Sequence, residues 1–129
     1  MLKRRFITTA MAALLPCLPL ASLAQTDFPN KPIRFIVGYA TGGPTDVIAR
    51  MVAQEISGPL GQSVIVENRA GANGNIATEF VAAAPADGYT LIVNTLSLNV
   101  NAIVGQGRVK YDPEKDFTPI SLAVVLPQY

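Results

Sequence analysis

The chain has 129 residues, half of them apolar and 15% charged, with ten basic against nine acidic residues, one cysteine and no histidine or tryptophan. That length fits one domain or part of a larger one, and the apolar content is enough to bury a core. Without histidine the chain contains no Ser-His-Asp or Cys-His catalytic arrangement and no histidine-ligated metal site, and its single cysteine, Cys17, has no internal disulfide partner.

Residues 1–24 read as an export signal rather than as part of a fold. Lys3, Arg4 and Arg5 form a basic start, residues 6–20 are mostly apolar, and Ser22-Leu23-Ala24 places small residues where a signal peptidase reads. Pro16 and Pro19 argue against a helical membrane anchor, and the apolar run falls short of the ~20 residues a bilayer requires. Cleavage after Ala24 would leave seven basic and nine acidic residues, a net charge of −2. No basic stripe for nucleic acid then remains.

From residue 25 onward one rhythm recurs: a short β-branched run, a glycine-rich turn and a helical stretch. Strands are expected at Ile33–Val37, Val64–Glu67, Thr90–Thr95 and Ile120–Leu126, beginning 31, 26 and 30 residues apart. Such intervals fit βαβ crossovers, hence an α/β fold with a mostly parallel sheet and flanking helices. Val47, Ile48, Met51, Val52 and Ile56 fall at helical spacing, with Thr45 or Asp46 placed to cap the start and Gly58 to end the helix. A second helix is expected over about 76–84, with Ile76 and Phe80 one turn apart, and Pro85-Ala86-Asp87-Gly88 supplies a turn. Residues 96–117 read as a loop with one short helix.

Two segments look chemical. Gly38-Tyr39-Ala40-Thr41-Gly42-Gly43-Pro44-Thr45-Asp46 follows the first strand and opens the first helix, and Arg69-Ala70-Gly71-Ala72-Asn73-Gly74-Asn75 repeats that arrangement after the second. Backbone N–H groups at a helix start lack intrahelical acceptors, so two such loops at the carboxyl ends of adjacent parallel strands would offer an anion one crevice. The alternative is that the glycines only turn the chain. The candidate ligand-binding residues are Tyr39, Thr41, Gly42, Gly43, Thr45, Asp46, Arg69, Gly71, Ala72, Asn73, Thr95 and Ser97. Arg69 either grips a carboxylate or pairs with Glu67, and Thr95 and Ser97 either reach the crevice or cap the segment after the third strand. Asp46, Glu79 and Asp87 read as helix-start and turn residues, with no spacing that pairs them as general acid and base. Neither a G-x-G-x-x-G nor a Walker pattern is present. No catalytic residue, metal or cofactor is expected.

An ordered series carries a resemblance. It consists of Phe28-Pro29-Asn30-Lys31-Pro32-Ile33-Arg34, Gly42-Gly43-x-x-Asp46, the run from Val66 to Ile76, Asp87-Gly88-Tyr89-Thr90-Leu91 and Tyr111-Asp112-Pro113-x-Lys115-Asp116-Phe117. In this order it resembles the Bug family, the extracytoplasmic solute receptors of tripartite tricarboxylate transporters. The resemblance implies a type II periplasmic binding protein with two lobes closing around a small carboxylate, whose partners are membrane permease subunits. It also implies that residues 25–129 are an incomplete amino-terminal lobe. The rival readings are an exported α/β enzyme fragment and a truncated, non-functional remnant.

Overall fold

The computed structural model describes residues 27–105 and 108–125. The expected export signal at 1–24 lies outside them. Three strands, β1 (Ile33–Val37), β2 (Val64–Asn68) and β3 (Thr90–Val93), form one sheet in the order β2-β1-β3. Both pairings are parallel, with Ile33 opposite Val64 and Arg34 opposite Thr90. The central position of β1 follows from its composition. Ile33, Phe35, Ile36 and Val37 are all buried, a near-continuous apolar run of the kind that needs cover on both faces.

That cover comes from two helices. Helix α1 (Pro44–Leu60) buries Ala53 against Ile33 and Phe35, with Val52, Ile56, Leu60, Val64, Val66, Leu91 and Val93 packed around them. Helix α2 (Asn75–Ala82) lies against the alternate face, where its Phe80 ring meets the guanidinium of Arg34. The face α2 buries is Ala77 and Thr78, whereas Ile76 is half exposed. Small side chains win there because the backbones come close: a Cβ on Gly38 would stand 2.9 Å from the Cα of Gly74 and 3.4 Å from the Cβ of Ala77. Helix α3 (Ser97–Val104) is the short helix expected in the irregular segment, and none of its residues is buried.

Three expectations about element ends are corrected. The first residue of α1 is Pro44, preceded by Gly43 in an extended conformation with no side-chain cap. Asp46 sits in the first helical turn and reaches back instead, accepting a hydrogen bond from the Gly42 N–H at 2.8 Å. Gly58 does not end the helix. Both Gly58 and Pro59 lie within its last turn, where proline's fixed φ is compatible with a helix, and the chain leaves the helix only at Gly61, in the left-handed region at φ 64°. The third strand stops at Val93, leaving Thr95 beyond it.

The fourth expected strand is absent over residues 120–125; Leu126 lies outside the described residues. Ile120, Leu122 and Val125 are at least three-quarters exposed. An apolar β-branched run becomes a strand only when a neighbouring strand takes its N–H and C=O groups, and this run pairs with neither edge of the sheet.

Candidate functional site

In a parallel sheet all strands point the same way, so the segments after β1, β2 and β3 emerge along one edge. Direct contacts join them. Gly38 touches Gly74, the Asn68 side-chain amide donates to the Tyr39 carbonyl at 3.0 Å, and the Tyr39 hydroxyl lies 2.7 Å from Thr95 Oγ1 and 2.6 Å from Ser97 Oγ. Of the predicted residues, Tyr39 thus lies beside Thr95 and Ser97, while Gly38 with Gly74 and Tyr39 with Asn68 bring the starts of the first two loops together. Thr41, Gly42, Ala72, Asn73 and Thr95 are exposed, and Tyr39, Gly43, Thr45, Gly71 and Ser97 are half-buried.

Asp46 organises the first loop. Its side chain is 1% exposed, and its carboxylate accepts from the Gly42 N–H, from Arg50 Nε at 3.0 Å and from Asn68 Nδ2 at 2.9 Å. The Arg50 hydrogen bond first, then the Gly42 N–H, hold its carboxyl at about 2, well below the usual carboxylate range. Gly42 can close this loop because its φ is +82°, where an L side chain is strained. The two glycine N–H groups are therefore engaged within the loop: Gly42 with Asp46, and Gly43 with the Ala40 carbonyl at 3.2 Å. The N–H groups the sequence assigns to a ligand from this stretch narrow to the helix start itself, at Thr45 and Asp46.

Of the two roles considered for Arg69, the structure shows the ion pair. Its Nε donates to Glu67 Oε1 at 2.7 Å, and its guanidinium stacks 3.7 Å from the centre of the Phe80 ring. Arg34 takes the other oxygen of Glu67, and this hydrogen bond is the leading cause that lowers the Glu67 carboxyl. Arg69 is thereby turned toward the α2 face of the sheet.

The second loop is unusual in its backbone. Gly71 (φ 138°), Ala72 (47°), Asn73 (52°) and Gly74 (88°) all have positive φ, although two of them carry side chains. Ala72–Gly74 form a left-handed turn leading into α2, closed by the Gly74 N–H donating to the Gly71 carbonyl at 3.0 Å. Sequence reasoning missed the residues that support this loop. Thr78, wholly buried, donates to the Gly74 carbonyl at 2.9 Å and accepts from Asn94 Nδ2 at 2.9 Å. Asn94 in turn accepts from the Thr95 N–H and the Ser97 hydroxyl. Asn101 reaches Asn73 and Asn75 from α3. Asparagine density in 68–75 and 94–101 was the available signal, since a side-chain amide both donates and accepts.

Two shallow depressions lie elsewhere: about 240 Å³ beside Arg50, Ser57 and Val64, and about 450 Å³ beside Ile103, Tyr111 and Pro113. Neither includes the loop residues. Among the described residues no cluster of acidic, histidine or cysteine side chains could hold a metal, and no helix is long and apolar enough to cross a membrane. What the loops offer chemically is neutral: hydroxyls and backbone N–H groups, several of them on exposed residues.

The family model described as tripartite tricarboxylate transporter family receptor matches residues 48–128. BugT of Bordetella pertussis is 37% identical over 123 residues, which are 95% of this chain and 36% of that protein. Among solved structures, MatC from Rhodopseudomonas palustris with bound malate is 42% identical, with a TM-score of 0.69 over 74% of this chain and 33% of that one. Another R. palustris protein, solved with adipate, is 43% identical, with a TM-score of 0.55 over 56% of this chain and 24% of that one. The chain spans about a third of the length of the curated relatives it matches. These likenesses agree with the fold class read from the sequence, a partial α/β lobe of a periplasmic binding protein.

Proposed function

Because the chain belongs to the tripartite tricarboxylate transporter receptor family, we propose that it forms the amino-terminal part of a periplasmic receptor that holds a small organic carboxylate and presents it to membrane permease subunits. The observation that carries this reading is the convergence of three post-strand segments, two of them glycine-rich, on one edge of a parallel sheet. Ligands of open α/β sheets bind outside the carboxyl ends of the strands, and β1, flanked by β2 and β3, is where the crossover direction reverses. The likeness to a malate-bound and an adipate-bound protein supports a carboxylate as the ligand.

The mechanism is binding without covalent chemistry. Arg50 and Arg69 are already paired with Asp46 and Glu67, so neutral donors replace the water around the carboxylate. The N–H groups of Thr45, Ala72 and Asn73 and the hydroxyl of Thr41 supply them. Asp46, Tyr39 and Ser97 set the positions of the loops that carry these donors. A second lobe closing over the ligand then gives the permease a distinct loaded shape to recognise.

Titration calorimetry of the natural gene product with malate and adipate tests this. The expected result is binding of at least one of them, with an affinity that changes little with added salt because, among the described residues, the arginines beside the loops are paired. Failure to bind any of a panel of mono-, di- and tricarboxylates would overturn it.

A further inference from the structure

Asn73 stands in the left-handed backbone region, which costs a residue with a side chain more than glycine, although less for asparagine than for most. The group that meets it is the side-chain amide of Asn101 in α3. Its Nδ2 donates to the Asn73 carbonyl at 2.9 Å and to Asn75 Oδ1 at 2.8 Å, while its Oδ1 accepts from Asn73 Nδ2 at 3.1 Å. The amide thus engages both backbone and side chain of the strained residue. Its orientation is set by its partners, because two oxygens face the nitrogen and one N–H faces the oxygen. Behind it, the buried Tyr111 places its hydroxyl 3.2 Å from Asn75 Oδ1 and 2.9 Å from the Leu98 carbonyl, which anchors α3 at the same point. Burial does little to hold α3 elsewhere: Leu96, Ile103 and Val104 are each more than 70% exposed.

We propose that Asn101 is a positioning residue for the ligand site, its side-chain amide holding Asn73 in the left-handed conformation that aims the second glycine loop. The proposal rests on the carboxylate-binding reading for its effect on affinity, and on geometry alone for its effect on the loop. Glycine at position 73 would adopt the same backbone without help, so it should make Asn101 dispensable.

The test compares Asn101→Ala, Asn101→Asp, Asn73→Gly and the double variant Asn73→Gly/Asn101→Ala in the natural gene product. The measurements are crystal structures of the loop and calorimetric Kd values for malate and adipate. Asn101→Ala should release residue 73 from the left-handed region and weaken binding about tenfold. Asn101→Asp should do the same, because it sets a carboxylate oxygen against the Asn73 carbonyl and Asn75 Oδ1; it serves in place of the alanine variant if that one does not fold. The double variant should recover the left-handed conformation at position 73 that Asn101→Ala loses, a rescue that a merely stabilising role would not produce. An unchanged loop in Asn101→Ala, or a double variant whose residue 73 stays outside the left-handed region, would overturn the proposal. If the unsubstituted protein binds neither probe, the carboxylate reading fails, and the loop conformation in the Asn101 variants still decides the positioning claim.

Discussion

Replacing Thr78 with valine isolates one hydroxyl without opening a cavity, because the two side chains have nearly the same shape. The hydroxyl is completely buried and joins two elements of the site: it donates to the Gly74 carbonyl and accepts from Asn94 Nδ2, both at 2.9 Å. The first loss is small, since the carbonyl of a residue preceding a helix already accepts the first intrahelical bond. The second leaves a half-buried amide N–H without its acceptor. Together they should cost about 1–2 kcal/mol, roughly one net hydrogen bond plus one partly desolvated donor. Urea denaturation followed by circular dichroism measures the effect, and a double-mutant cycle with Asn94→Ala assigns it. If the hydroxyl acts through the Asn94 amide, the pair should show a coupling of about 1 kcal/mol. Strict additivity, or a valine variant as stable as the original, would refute the argument.

Other outcomes follow from the same geometry. Asp46 has a carboxyl held at about 2 in the fold against 3.8 ordinarily, so its stabilising contribution is complete above about pH 4 and disappears as pH falls toward 2; Asp46→Asn should flatten that part of an acid-unfolding curve. Gly42→Ala should destabilise by about 1–2 kcal/mol, read from denaturation midpoints, although its Cβ would meet nothing within 4 Å, because φ +82° is unfavourable to any L side chain. Amino-terminal sequencing of periplasmic material should begin at Gln25 if residues 1–24 are removed on export; intact chains starting at Met1 and confined to the cytoplasm would refute that.

Much of the fold was legible because its determinants are local. The apolar run of Ile33–Val37 marked the central strand, the helical spacing of Val47 to Ile56 marked α1, and the glycines at 42, 43, 71 and 74 marked the loops that meet at the sheet edge. The ordered series of motifs also identified the family. Hydrophobic period, glycine's access to positive φ and proline's fixed φ act within a few residues and do not wait for the rest of the chain.

What depended on distant partners was decided only in three dimensions. Residues 120–125 have the composition of a strand but no neighbour to pair with, and Gly58 has the freedom to end a helix that in fact continues to Leu60. Arg69 had two possible anions until Glu67, Arg34 and Phe80 came together around it. The supports of the second loop, Thr78 with Asn94 and Asn73 with Asn101, are separated by 16 and 28 residues. A hydrogen-bonding side chain in sequence has many prospective partners, and only the packing of α2 and α3 against the sheet edge brings one of them within 3 Å, where a directional bond forms.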